Sequence, residues 1–174
     1  MAINHDSYDE AYIRGILTSV KSVAIVGASN NVVRPSYFVV KYLKSKGYRV
    51  FPVNPGIAGQ EILGQKVYAS LKDIPDPIDM VDVFRNSEAA LGITEEAIAI
   101  GAKVVWMQLT VRNDEAAALA EAAGLQVVMN RCPKIEYGRL SGEIGWAGVN
   151  SGTISNSRGA MGAVGLQNRV LGKG

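Results

Sequence analysis

Cysteine and histidine are almost missing: Cys132 and His5 are the sole examples in 174 residues. One cysteine excludes an internal disulfide, and one of each excludes a zinc site built from several such ligands. A His-based catalytic triad is excluded too unless His5, near a chain end, is recruited. No apolar run approaches the ~18 residues of a membrane span, so no membrane role is expected. The start, MAINHDSYDE, lacks the basic and apolar stretches of a signal peptide, and a cytoplasmic protein is the expectation. Charge of one sign is also scarce: 18 basic against 16 acidic residues leave a formal net charge of +2, which argues against nucleic acid as a partner.

What is present is a regular alternation of short apolar runs and helical patterns. The organising stretch is SVAIVGASNNVVRPS, Ser22 to Ser36. Val23 to Val26 reads as a buried parallel strand, Gly27 as a tight corner, and Pro35 as the first residue of a helix, where a missing N–H costs nothing. The amides around Asn30 to Ser36 are then expected to face an anion above the strand. An ordinary strand-to-helix turn remains the competing reading of these residues.

Ser7 and Glu10 have capping-box spacing before a lead-in helix carrying Ile13, Ile16 and Leu17. Phe38 to Leu43 give a helix with a broad apolar side, stopped by Gly47. A second strand is expected from Tyr48 to Val53, with pairing weakening at Pro52 and a turn at Asn54 and Pro55. A small hairpin is expected around Gly64. Further strands are expected within Ile78–Phe84, Lys103–Leu109 and Leu125–Met129. Between them, Ser87 caps a helix that ends at Gly101, and Asn113 or Asp114 caps one that closes at Gly124.

The fold class is therefore α/β, a Rossmann-like doubly wound sheet of about five parallel strands with ligand contacts beyond their carboxyl ends. Residues 1–140 make this domain. Residues 141–174 read as a Gly-rich extension, partly ordered, with Trp146 and Ile154 as anchors and a homo-oligomer through this tail as one use.

Dinucleotide and ATP signatures are both absent. Ser29 and Val32 replace the second and third glycines of G-x-G-x-x-G, the second strand ends in Asn54 instead of an acid, and no P-loop lysine motif occurs. GASNNVVRPS, FPVNP, IDMVDVFR, VVWMQLT, NRCPKIE and VNSGTISNSR, in this order, resemble the small stand-alone CoA-binding proteins, from about Tyr8 to Arg158. Those are similar in fold to the CoA-binding domain of the succinyl-CoA synthetase alpha subunit. The resemblance implies coenzyme A as ligand, its ADP portion over the first loop and its pantetheine arm along the carboxyl edge. Thr110 departs from the small glycine expected in a W-x-Q-x-G pattern.

The residues agree with that expectation. Gly27 permits close backbone approach, Ala28 and Ser29 leave room, and Ser29 and Ser36 offer hydroxyls. Arg34, beside Pro35, is the best-placed phosphate cation, because a guanidinium grips two oxygens at once. Asn54 and Pro55 border the adenosine or simply form a turn. At the strand ends lie Phe84 and Arg85, then Trp106 and Gln108 on one face, then Asn130, Arg131 and Cys132. Trp106 reads as a large core residue or as part of the site, whereas a buried Gln108 requires partners. Cys132 is an inert buried thiol or a partner for the CoA thiol, aided by Arg131 and Lys134. No acid–base pair is visible, so the expectation is a non-catalytic sensor or carrier of CoA or acyl-CoA. The alternatives are an NAD(P)-binding oxidoreductase-like protein and an interaction scaffold with a vestigial nucleotide site.

Overall fold

The computed structural model describes residues 2–142, together with the backbone of two short paired strands, Val164–Gly165 and Gln167–Asn168. Trp146, Ile154 and the docking expected of residues 144–158 lie outside the described residues.

Five strands form one parallel sheet: β1 (Ser22–Val26), β2 (Arg49–Val53), β5 (Met80–Val83), β6 (Val104–Met107) and β7 (Gln126–Val128). Their spatial order is β2-β1-β5-β6-β7, so the winding reverses between β1 and β5. In such sheets the crevice at that reversal, beyond the carboxyl ends, is where ligands bind. All five residues of β1 are buried, as a strand covered on both faces must be.

Helices α1 (Glu10–Ser19), α2 (Pro35–Ser45) and α5 (Pro133–Ser141) cover one face. There Ile13, Leu17, Val40, Leu43 and Tyr137 pack on Val23, Ile25 and Trp106. Helices α3 (Ala90–Ala99) and α4 (Asp114–Ala122) cover the other, where alanines at 90, 97, 116, 117 and 120 let the helices lie close to Val81, Val105 and Met107. Each large aliphatic chain buried this way contributes roughly 1.5–3 kcal/mol. A two-residue hairpin, β3 (Glu61–Ile62) and β4 (Gln65–Lys66), turns through Leu63 and Gly64, both at positive φ.

Several expectations shift. Pairing does not weaken at Pro52: the β1–β2 register runs through to Val26 and Val53. β2 is an edge strand, and the Pro52 carbonyl accepts from the Tyr68 amide at 2.9 Å, so its missing N–H faces away from β1 and costs no ladder bond. Asp9, not Ser7, occupies the cap of α1. Asn86, not Ser87, caps the segment leading into α3, accepting from the Ala89 amide at 2.9 Å. Ser87 Oγ accepts instead from the Arg112 amide at 3.0 Å, which ties the loop after β5 to the loop after β6. Asn113 caps α4 through the Ala116 amide at 2.8 Å.

Candidate functional site

The crevice at the winding reversal holds a cavity of about 700 Å³. Its wall comes from four strand ends. The start of α2 gives Val33, Pro35 and Phe38; the loop after β5 gives Phe84 and Arg85; the loop after β6 gives Gln108, Leu109 and Thr110; and the start of α5 gives Cys132, Lys134 and Ile135. Among the described residues that line it, Arg85 and Lys134 are the cations and none is a carboxylate. The helices α2 and α5 both begin at this wall, each with proline first, so two positive dipole ends meet the same space.

Gly27 sets the geometry of the entrance. Its φ is +95°, and a Cβ there would stand 2.5 Å from the Phe84 carbonyl oxygen. Only glycine lets β1 turn into the loop this close to the end of β5. Its amide and that of Ala28 both donate to the Val53 carbonyl, at 2.9 and 3.3 Å.

The loop that follows is held largely by its own atoms, contrary to the expectation that its amides stand open. Ser29 donates its amide to Ser36 Oγ at 3.1 Å, Asn31 to Ser29 Oγ at 3.0 Å, and Val33 to Asn31 Oδ1 at 3.1 Å. Arg34 donates its amide to the Asn31 carbonyl at 3.0 Å. Among the described residues, the amides of Asn30, Val32 and Ser36 have no such acceptor. Arg34 is exposed at the cap of α2, and no described residue pairs with its guanidinium. Ser36 is buried and serves the loop from within.

Asn54 is a clamp. Its Nδ2 donates to the Ala28 carbonyl and its Oδ1 accepts from the Gly56 amide, both at 2.8 Å. An aspartate has no donor for Ala28, which gives a structural reason for an amide where dinucleotide sites carry an acid. Pro55 is exposed in the turn that follows.

Trp106 is fully buried between the sheet and its helices, with its indole N–H donated to the Arg131 carbonyl at 2.9 Å. It belongs to the core and does not line the cavity. Arg131 points toward the N-terminal segment, reaching the Asp6 carbonyl at 3.3 Å and covering the Tyr8 ring at 5.2 Å. Asn130, at φ 57°, accepts the Thr110 amide on its Oδ1 at 2.7 Å. Thr110 itself has a φ of 73°, the left-handed conformation that glycine takes without strain. The departure from the glycine pattern thus falls on a backbone position suited to glycine. Cys132 is buried at the head of α5, and burial first of all pushes its thiol pKa up, so the S–H form prevails at neutral pH.

The residue that sequence reasoning missed is Asp82, in the middle of β5 and without any exposure. Burial pushes its carboxyl up to about 8, and the amide of Gln108 works against that shift. Phe38, on the broad apolar side of α2, is 48% exposed and lines the cavity. Val33 and Ile135, at 71% and 43% exposure, line it too. An acid interrupting the apolar run MVDV was the available signal for Asp82.

A family model described as a CoA binding domain matches residues 21–138. The chain belongs to the CoA-binding domain family. It is 41% identical over 128 residues to an uncharacterised Bacillus subtilis protein, YneT, covering 74% of this chain and 93% of that one. A solved structure of a hypothetical protein from Pyrococcus horikoshii superposes with a TM-score of 0.74 at 44% identity, covering 80% of this chain and 96% of that one. An ADP-forming acetate–CoA ligase of Archaeoglobus fulgidus is 45% identical over 62 residues, but these make up 34% of this chain and 9% of the ligase. The match to this ligase is thus confined to a short stretch, whereas the Bacillus subtilis and Pyrococcus horikoshii proteins are covered almost end to end. No helix among the described residues is long and apolar enough to cross a membrane.

Proposed function

We propose that this protein binds coenzyme A or an acyl-CoA without chemistry of its own, as a sensor or carrier. The diphosphate lies over the Gly27–Ser36 loop and the pantetheine arm enters the cavity. The observation that carries the reading is the composition of that cavity among the described residues: apolar walls, two cations and no carboxylate, at the point where the sheet's winding reverses. CoA combines an apolar arm with several phosphate charges, and such a wall suits both parts. Gly27 lets the first loop pack against Phe84 and Arg85, which brings the loop and the cavity wall together around one ligand. The loop's internal hydrogen bonds imply that it is pre-formed, with the Asn30, Val32 and Ser36 amides, the Arg34 guanidinium and Arg85 left to meet the anion.

No acid–base pair lines the cavity among the described residues, and the single histidine is bonded to Tyr8 and Glu121 at 2.8 and 3.1 Å. Incubation with CoA, succinate and ATP should accordingly yield no thioester. Calorimetric titration with CoA, acetyl-CoA, NAD and NADP tests the ligand. CoA or acetyl-CoA is expected to bind in preference to both dinucleotides; NADP binding without a CoA response overturns the reading. Arg34→Ala should weaken CoA binding by about 1.5–3 kcal/mol, the value of a charge-assisted hydrogen bond, with the unfolding temperature nearly unchanged. Unchanged affinity returns Arg34 to the solvated surface.

A further inference from the structure

The large apolar side chains that reach water are gathered in one place. Among the described residues seven are exposed, and four of them, Val33, Phe38, Leu109 and Ile135, line the same cavity. A fifth, Val32, adjoins Val33 in the chain. Single apolar residues scattered over a surface are ordinary, whereas a group around one opening marks a place that a ligand covers. The four come from separate stretches: the loop before α2, α2 itself, the loop after β6 and the first turn of α5. No local pattern in the chain groups them; the carboxyl edge of the sheet does.

Size is a second, independent observation. On the CoA reading, which this inference presupposes, the pantetheine arm lies in the cavity. An arm of about eighteen heavy atoms fills on the order of 350 Å³ at the packing density of a protein interior. The cavity holds about 700 Å³, so roughly half of it is left once the arm is seated. The arm's two amides and its hydroxyl gain nothing from carbon walls, because burying a polar group is favourable only against a hydrogen-bond partner. What suits both the space and the exposed side chains is apolar matter carried on the arm's end. A methylene takes on the order of 30 Å³, close to the share of a water molecule, so the space accepts a chain of about six to ten carbons. An acetyl group leaves most of it empty and the four side chains wet.

We propose that the site is built for an acyl-CoA carrying a linear aliphatic chain of about six to ten carbons, held against Val33, Phe38, Leu109 and Ile135. Free CoA and acetyl-CoA are weaker ligands of the same site.

Calorimetric titration of the full chain with acetyl-, butanoyl-, hexanoyl-, octanoyl-, decanoyl- and dodecanoyl-CoA tests this. Each buried methylene should tighten binding about threefold, so hexanoyl-CoA should bind at least tenfold more tightly than acetyl-CoA, and the gain should level off by decanoyl-CoA. The double variant Phe38→Ala, Ile135→Ala keeps good helix formers in α2 and α5 and should lower the hexanoyl-to-acetyl affinity ratio at least fivefold. Equal binding of acetyl- and hexanoyl-CoA overturns the inference and needs no variant. So does a chain-length gain that the double variant keeps in full, since the chain then lies against another wall. A gain that runs on undiminished to dodecanoyl-CoA overturns it too, because adsorption and not a filled cavity then sets the affinity. Adipoyl-CoA, which has the length of hexanoyl-CoA and a terminal carboxylate, should bind more weakly than hexanoyl-CoA; tighter binding overturns the inference and assigns the chain's end to a cation such as Lys134. In all these cases CoA binding itself stands; if neither CoA nor any member of the series binds, the CoA reading is what has failed.

Discussion

Asp82 places a carboxyl where its charge is costly, and the cost has a sign in pH. Its pKa rises from 3.8 to about 8 because burial disfavours the ionised form. Between those values the unfolded chain has released this proton and the folded chain still holds it. The folded state therefore binds more protons, and stability falls as pH rises through that window, by up to about 1.4 kcal/mol per pH unit from this group. Asp82→Asn should flatten the decline and raise the unfolding temperature at pH 8 more than at pH 4.5, as read by thermal melts across that range. A parallel rise at all pH values would assign the gain to packing. Cys132, whose thiol pKa is raised, should react slowly with a small alkylating reagent at pH 7.

At the scale of elements, the strand-to-helix turn after β1 stands or falls with Gly27. Gly27→Ala must accommodate a Cβ at 2.5 Å from the Phe84 carbonyl and a φ of +95°. The backbone strain alone costs roughly 1–3 kcal/mol. Denaturant melts should show at least that loss, and CoA affinity should drop with it as Phe84 and Arg85 are displaced; full stability would mean the two loops move apart freely. The strands and most helices were legible because apolar runs and left-handed glycines such as Gly47, Gly101 and Gly124 punctuate them. Helix α5 was not, since PKIEYGRLS opens on proline, contains Gly138 and has no clear apolar stripe; it is fixed by Tyr137 and Leu140 packing under α1 and α2. The site was half legible for a similar reason. Pro35, Phe84, Arg85, Gln108 and Cys132 sit at strand ends that periodicity locates, and they line the cavity. The roles of Asn54, Asn130 and Trp106 depend on partners 20 or more residues away, which no local pattern encodes.

In the whole molecule, two apolar layers flank the sheet, and their described buried residues all fall between Ile13 and Leu140. A chain ending at Gly142 should therefore unfold in one cooperative transition and bind CoA as the full chain does; weaker binding would bring the extension into the site, and altered sedimentation alone would assign it to self-association. The mouth of the cavity has one more consequence. Val33, Phe38, Leu109 and Ile135 leave greasy surface facing water around the opening. A ligand seated there covers part of it, so the loaded and stripped forms should part company on a phenyl column in high ammonium sulfate, the stripped form eluting later. Preparations that drift between those two peaks would be reporting their own ligand content, and purification conditions would decide which form reaches the calorimeter.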